Sequence, residues 1–595
     1  MKLVAIATIA LLLSGVADAA TLIVNTTADP GSGTCSSSAC TLRDAINAAA
    51  PNDTITFAIP ASDPGCSAQN LCTIQLDGPT GPLLVNNALT IDGSGQQITI
   101  SQSNPTPIQL LVNAGPGLSI NALTFANGSC FDNSPGGPNC FSGGAILNGG
   151  NGTLTVTNST FSSNSGGESC FVDGTHHGCD PLSGGAIANL GTATVRASTF
   201  IGNEVDMFAD GAAIASFSGT LTVINSTFYG NTGNTTVFNG NSLINAGFSQ
   251  PSSLTLINST LTAGSGSGVA NQGSQTAGQA AGVGTLTLSN DIIAQNAGGS
   301  CFTGSILIAP PAAIGDSGGN VADDASCGFS QPSSLSNTNP SFAPLGNYGG
   351  LTQTMPLLGG SPAADSGLPA SCPATDQRGV SRPGSGQTCS SGAFQALRLI
   401  CPAPNGQAGT AYNSALNGSG GFPPYAYSIT SGALPAGLTL DPATGQISGV
   451  PVSAGTFNFN VDMSDATPLP SGGHLSAICL IVVSPPAAKL QASPSRVSFG
   501  TVPIFSVTNR TIAVRNIGGS PAAMQGVFVV PAPGTPPNEF AAANSCPAML
   551  LPGKTCTVTV LLMPLALGLQ SANLLINSNG VGSPQVVPLS AIVIL

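Results

Sequence analysis

The sequence predicts an all-β chain: a solenoid of stacked parallel strands followed by two β-sandwich modules. Three observations predict it. A phrase of two short strands recurs from residue 143 to residue 296; asparagines return in it at a fixed spacing; and from residue 397 the repeat gives way to short strands with regularly placed turns.

The phrase is clearest as Gly143-Gly144-Ala145-Ile146, then Thr153-Leu154-Thr155-Val156-Thr157 and Asn158-Ser159-Thr160-Phe161. It returns over 184–203 and 211–231, and 254–261 and 286–296 are looser copies. Apolar and small polar residues alternate in each run, the pattern of a half-buried strand. Phe161, Phe200 and Phe228 recur 39 and 28 residues apart, a solenoid period. One apolar strand face can be buried only against the next copy, so the copies stack. Asparagines stand six apart at Asn121/Asn127, Asn158/Asn164, Asn225/Asn231 and Asn290/Asn296, and Asn203 and Asn258 each keep one member. Asn accepts the left-handed backbone of a tight corner. Stacked in register, its amides can also hydrogen-bond from coil to coil. Separate hairpins would have no reason to keep the same corner residue.

The bulk numbers bound the rest. A chain of 595 residues holds several domains. With 77 Gly, 46 Pro and 6% charged residues it could pass for low complexity, but its 41% hydrophobic residues sit in periodic strands. The net charge of −13 leaves no basic patch to neutralise phosphates, which excludes nucleic acid as a partner. Residues 1–19 read as a secretory signal: Lys2, an apolar core over 3–16, and Ala17-Asp18-Ala19 as the cleavage site. No later stretch is long and apolar enough to span a bilayer, so the mature chain is expected to be exported with no membrane-spanning segment. The 16 cysteines fall into sequence neighbours. These are Cys35/Cys40, Cys66/Cys72, Cys130/Cys140, Cys170/Cys179, Cys301/Cys327, Cys372/Cys389, Cys401/Cys479 and Cys546/Cys556. Export into an oxidising compartment makes them disulfide candidates, although spacing alone does not fix the pairing. No cysteine or histidine cluster has zinc spacing, and no metal site is expected.

After a first strand over 21–24, residues 41–49 form the one helix in this region. Thr41 is its cap, Asp44 completes a capping box, and Leu42, Ala45, Ile46 and Ala49 make one apolar face. It suits the plug that an open solenoid end needs. Cys40-Thr41-Leu42-Arg43-Asp44-Ala45-Ile46, followed by Asn52-Asp53-Thr54-Ile55-Thr56-Phe57, resembles the C-S-L-R-E-A-I motif of exported bacterial right-handed parallel β-helix proteins. The Gly-Gly-Ala-Ile and Asn-Ser-Thr-Phe phrases resemble their coils. The resemblance implies a right-handed single-stranded parallel β-helix over 20–330. At about 25 to 35 residues per coil it has roughly nine to twelve coils, each about 4.8 Å deep.

Residues 331–396 close the solenoid. Asn339-Pro340-Ser341-Phe342, Gly346-Asn347-Tyr348-Gly349-Gly350, Gly360-Ser361-Pro362-Ala363-Ala364-Asp365-Ser366-Gly367, Asp376-Gln377-Arg378-Gly379 and Gly392-Ala393-Phe394-Gln395 resemble the region named choice-of-anchor Q. The family has Asp-Ile and a final Glu where this chain has Ser390-Ser391 and Gln395. Asp376 and Arg378 are expected to pair and close the end. Residues 397–484 are a sandwich whose Leu434-Pro435-Ala436-Gly437-Leu438 and Thr444-Gly445-Gln446-Ile447-Ser448-Gly449 phrases are similar to the bacterial Putative-Ig, cadherin-like repeat. Asp462 and Asp465 are too few to make the Ca²⁺ site of cadherin-like modules. Residues 485–595 open on a stiff Pro485-Pro486 linker. They then resemble the choice-of-anchor D type of Ig-like domain through Val497-Ser498-Phe499-Gly500, Val514-Arg515-Asn516-Ile517-Gly518 and Leu551-Pro552-Gly553-Lys554-Thr555-Cys556.

Candidate chemistry lies where the repeat is interrupted. Residues 128–142, 165–183 and 204–210 each follow a coil asparagine and precede the next glycine. Equivalent positions of adjacent coils share a face. Asp132, Glu168, Asp173, Asp180, Glu204, Asp206 and Asp210, with His176 and His177, are therefore expected to cluster. They read as solvated loop charges, as a face binding a surface glycan or Ca²⁺, or as a catalytic carboxylate pair. Against catalysis, β-helix pectate lyases use a basic residue to abstract a proton, and between Lys2 and Arg378 this chain has only Arg43 and Arg196. By register Arg196 aligns with Thr157, an outward position. Adjacent His176 and His177 lack a third ligand for a metal. No catalytic residue and no cofactor is assigned.

The expected function is adhesin-like recognition of an extracellular glycan or surface protein by a non-catalytic, secreted or cell-surface protein. The alternatives are a β-helix polysaccharide lyase or glycoside hydrolase with accessory Ig-like domains, and a structural envelope component.

Overall fold

The computed structural model describes residues 19–595 apart from 68, 103–106, 131–142, 168, 174–175, 181–183, 206–209, 218, 241–251, 276–283, 308–311 and 468–472. Of 169–173, 176–180, 273–275 and 305–307 it describes the backbone. The chain divides into two compact units: 1–398 with 419–424 and 465–474, and 399–418 with 425–464 and 475–595.

The first unit is a parallel β-helix. Each regular coil gives one strand to each of three parallel sheets, which hold ten, nine and eight strands among the described residues. We call these sheets 1, 2 and 3. One coil runs Ile146–Asn148 in sheet 3, Thr153–Thr157 in sheet 1 and Thr160–Ser162 in sheet 2; Ile187–Asn189 opens the next. The alternation read from the sequence is met: Leu154 and Val156 are fully buried, while Thr153, Thr155 and Thr157 are not.

Small and β-branched residues let the coils stack at strand spacing, and like side chains fall on like. Phe125, Phe161, Phe200 and Phe228 stack with centroids 5.3, 4.7 and 4.7 Å apart and ring planes within 8°. Leu261 and Ile293 continue the column. Each ring is buried completely. Removing such a side chain from water stabilises the fold by up to about 3 kcal/mol, before roughly 1 kcal/mol per stacked pair.

The asparagines divide into two roles. Asn158, Asn225, Asn258 and Asn290 turn the corner between sheets 1 and 2 with left-handed φ of 50, 49, 49 and 58°. Asn164, Asn203 and Asn231 instead form a buried amide ladder. Asn164 Nδ2 donates to Asn203 Oδ1 at 2.9 Å, and Asn203 Nδ2 to Asn231 Oδ1 at 3.0 Å. The same two oxygens accept the backbone N–H of Asn164 and Asn203. Here the left-handed residue is the one before, Ser163, Gly202 or Gly230. Asn121/Asn127 is out of phase by one residue: Asn121 is in register with Thr157, and Ala122 takes the left-handed corner. Two further ladders had no counterpart in the sequence reading. Asn113, Asn148, Asn189 and Ser216 are linked in sheet 3 at 2.7, 2.7 and 3.0 Å. Ser159, Ser198, Ser226 and Ser259 form the other, each backbone N–H donating to the hydroxyl of the next coil, until Asp291 takes the serine's place.

The helix spans Leu42–Ala48, and Leu42, Ala45, Ile46 and Ala49 share a core with Val24 and Leu83. Thr41 Oγ1 caps it by accepting from Asp44 N at 3.1 Å. The capping box is only half formed, because the Asp44 carboxylate turns away to Ser32 N and Gly33 N. Arg43 forks onto Asp29 at 2.8 and 2.9 Å and donates to the carbonyls of Gly81 and Pro82. The arginine of the resembled motif thus ties three segments together at this end.

Residues 331–396 run back along the coils. Leu335, Phe342 and Leu357 pack against Ile292, Ala294 and Val321. Gln377 then accepts from Thr227 Oγ1 at 2.6 Å and donates to Thr199 Oγ1 at 2.9 Å, and Asn225 Nδ2 donates to Thr375 O at 2.7 Å. Asp376 and Arg378 do form a buried ion pair. Asp376 also accepts from the N–H of Arg378, Val380 and Gln395. These bonds fasten the segment to the flank of the middle coils, where the sequence reading placed the pair at the open end. Gln395 accepts from Arg382 and bonds Ser390. Burial pushes the Arg382 guanidinium down to about 10, with the Asp376 charge opposing the shift and the Arg378 charge adding to it.

The second unit holds both sandwiches. In the first, a four-stranded sheet (Asn405–Gln407, His474–Ser484, Gly455–Ser464, Ala426–Gly432) faces a three-stranded one (Tyr412–Ala415, Gln446–Gly449, Leu438–Leu440). Cys401 and Cys479 are bonded. In the second, sheets of four and five strands enclose a core that includes Ile512, Val514, Val558, Leu574, Ile576 and Leu589, and Cys546 is bonded to Cys556.

Candidate functional site

Two surfaces of the solenoid gather polar groups: the roots of the interrupting loops, and a groove on the outer face of sheet 1.

At the loop roots, Ser129–Cys130, Ser165–Gly166 and Glu204–Val205 form a small parallel sheet of their own. Ser129 is in register with Ser165, and Ser165 with Glu204. The loops return in register as well, Gly144 N donating to Gly184 O and Gly185 N to Gly211 O. The three interruptions therefore leave and rejoin the coils at stacked positions. The second one contains a two-stranded antiparallel ribbon, Ser169–Asp173 with His176–Asp180, which the sequence reading took for plain loop. Its register sets Asp173 opposite His176, Val172 opposite His177, Ser169 opposite Asp180 and Cys170 opposite Cys179.

Glu204 is exposed on its strand. Asp210 is half-buried where the third loop ends, and burial pushes its carboxyl up to about 6. Asp132, Glu168 and Asp206 lie outside the described residues. Among the described residues no group of three or more His, Cys, Asp or Glu side chains could hold a metal ion. Disulfides join Cys35–Cys40, Cys66–Cys72, Cys301–Cys327 and Cys372–Cys389 in this unit. Cys130 is also disulfide-bonded, and Cys140, its expected partner, lies outside the described residues.

The second surface was not anticipated. Arg196 is exposed and in register with Thr157, as the sequence indicated. Its column continues through Ile224 and Ile257 to Ser289, one residue per coil. Residues 370–374, pinned by Cys372–Cys389, stand beside this column and close a groove of about 450 Å³. The outward column was legible from the repeat. The wall was not, because it returns from far along the chain.

Two family models match within the C-terminal third. Residues 400–474 match the family model described as Putative Ig domain. Residues 488–591 match the one described as HYDIN/CFA65/VesB-like, Ig-like domain. Both C-terminal modules are Ig-like. The second match bears a different family description from the choice-of-anchor D type. No curated protein matches the chain. Among solved structures, a protein of unknown function from Porphyromonas gingivalis W83 is 13% identical, with 33% of this chain and 99% of that one covered and a TM-score of 0.16. The human desmocollin-1 ectodomain is 10% identical over 33% of this chain and 42% of its own, with a TM-score of 0.19. Mouse cadherin-23 EC22-24 is 14% identical over 33% and 67%, with a TM-score of 0.21. No helix among the described residues is long and apolar enough to cross a membrane.

Proposed function

We propose that this chain is an exported, non-catalytic recognition protein that binds an extracellular glycan or surface partner through the solenoid loops. The observation that carries the reading is the stacking of three loop roots in one parallel sheet, which brings successive acidic loops out of one flank. Loops on a rigid scaffold are where binding residues concentrate. Two Ig-like modules and disulfides throughout the chain suit an oxidising, extracytoplasmic setting. Residues 1–19 supply the export signal in this reading.

The test is a glycan array probed with the mature chain and with a Glu168→Ala, Asp173→Ala, Asp180→Ala variant. Binding without turnover that the triple variant loses supports the reading. Release of reducing ends or unsaturated sugar turns the protein into a polysaccharide-active enzyme and ends it.

A further inference from the structure

We infer that the outer face of the five-stranded sheet in the last module seats a second copy of this chain, packed face to face about a twofold axis.

The sheet sets its strands in the order Val497–Pro503, Gln585–Ile594, Gly568–Ser578, Ala522–Pro531 and Met549–Leu550. None of these strands carries a charged residue. The charged residues of 488–595 are Lys489, Arg496, Arg510, Arg515, Lys554 and Glu539, all outside them. One side of the sheet covers the core through Leu574, Ile576, Val587 and Leu589. Residues of the opposite parity point outward, and many of them are apolar and open to solvent. Leu569 is 71% exposed, Ile592 54% and Phe528 52%, and Val530, Val586 and Ile594 are also exposed. A monomer seldom leaves a contiguous apolar face of this extent in water.

The opposing sheet of the same sandwich differs. Its outward positions set Arg515 opposite Thr555, Ala513 opposite Thr557 and Thr511 opposite Thr559. One sandwich therefore has one ordinary solvated face and one face without charge. The contrast belongs to the face and not to the composition of the module.

Register shows how a copy fits. Phe528, Leu575 and Val586 lie side by side in one row across the sheet. Leu569 and Ile592 form a second row further along, with Ile594 beyond it. Asn573, Ser571 and Ser590 stand between the two rows. Along the strands the face reads apolar, polar, apolar. Turned about a twofold axis lying in the plane of the face, the apolar ends of one copy meet apolar ends of the other, and polar middle meets polar middle. An isologous dimer needs that self-complementarity, and an unrelated partner does not. The area suffices as well. Four strands of 7 to 11 residues, about 4.8 Å apart and rising about 3.3 Å per residue, give a face of roughly 600 Å². Two copies then cover about 1,200 Å², where stable specific interfaces begin. Sheets packed face to face need no open strand edge.

The inference goes beyond the recognition reading and does not rest on it, because its readout is the mass of the particle. The test is sedimentation equilibrium of the mature chain at micromolar concentration. Wild type is expected at twice the single-chain mass. Ile592→Lys and Phe528→Lys, at opposite ends of the face, should each weaken association at least about tenfold. Thr557→Lys, on the outward side of the opposing sheet, should leave it unchanged. All three side chains point away from the core, so the variants should keep the wild-type thermal midpoint. A short bifunctional thiol reagent should join Ser590→Cys chains into covalent dimers and leave Thr557→Cys chains single. A single-chain mass for wild type, association unchanged by both face variants, association lost equally in Thr557→Lys, or cross-linking at Thr557→Cys in place of Ser590→Cys overturns the assignment. A single-chain mass with binding to phosphatidylcholine vesicles that Ile592→Lys abolishes gives the face to a lipid surface and also overturns it.

Discussion

Asp291 replaces a serine in the ladder that runs Ser159, Ser198, Ser226, Ser259, and the exchange should be measurable as pH-dependent stability. Its side chain is completely buried. One carboxylate oxygen accepts Ser259 N at 2.8 Å, the other accepts Ser289 N at 2.9 Å, and its own N–H donates to Asn320 Oδ1. Every partner is neutral. Burial outweighs the two backbone donors and pushes the carboxyl from 3.8 up to about 8. A carboxyl whose folded value is raised keeps its proton in the folded chain while the unfolded chain releases it. Stability therefore falls as pH rises from about 4 to about 8 and levels off above. The span of 3.8 to about 8, at about 1.4 kcal/mol per pH unit, gives a ceiling of roughly 6 kcal/mol for the loss. Asp291→Ser restores the ladder residue, with a hydroxyl to accept Ser259 N, and removes the titration. Guanidinium denaturation of the mature chain, followed by far-UV circular dichroism between pH 5 and pH 8, reads both effects. Wild type should lose stability across that window, and the variant should hold it and exceed wild type at the alkaline end. Parallel pH profiles for the two proteins would refute the reasoning.

Four further outcomes follow from the packing. Phe161→Ala removes a fully buried ring stacked on both sides and should cost about 4 to 6 kcal/mol, while Phe161→Leu should cost far less because Leu261 fills the same column position; denaturation midpoints decide. Asn203→Ala strands the buried N–H and amide of Asn164, at about 1 to 3 kcal/mol, and hydrogen exchange at Asn164 should accelerate accordingly. Asp376→Asn removes the carboxylate charge that faces the buried Arg378 guanidinium and should destabilise the returning segment by about 3 kcal/mol, seen as earlier proteolysis within 331–396. Asp210→Asn removes a carboxyl held at about 6, so any stability lost by wild type between about pH 4 and 6 through this group should vanish in the variant.

Periodicity made the solenoid readable. Leu154, Val156 and Phe161 are buried for the reason their spacing suggested, and Asn158 turns a corner as Asn should. Two neighbouring roles were harder to separate. Asn164 looked like a second corner, yet the residue before it turns the chain and its own amide is spent between coils; composition at one position cannot distinguish a backbone need from a side-chain bond. The acidic loops share roots because register is a property of the coils, so that part of the candidate site was legible. The antiparallel ribbon within the second loop was not, since its strands lack apolar alternation. The groove needed tertiary information outright: Arg196 was readable as outward, but its wall arrives from residues 370–374, about 175 positions later.

The ladders give the coil a property beyond stability. Each asparagine amide bonds to the matching amide one coil on, and each ladder hydroxyl accepts the matching backbone N–H of the coil beside it, so excising the stretch from one rung to the next, such as 164–202, would join Ser163 to Asn203 with each rung facing the same kind of partner as before. A gene encoding this chain can therefore gain or lose whole coils by recombination, in steps of about 4.8 Å, without inventing a new interface. Loops inserted at the rungs travel as interchangeable passengers, so the loop surface can be reshuffled while the hydrogen-bonded frame stays unchanged.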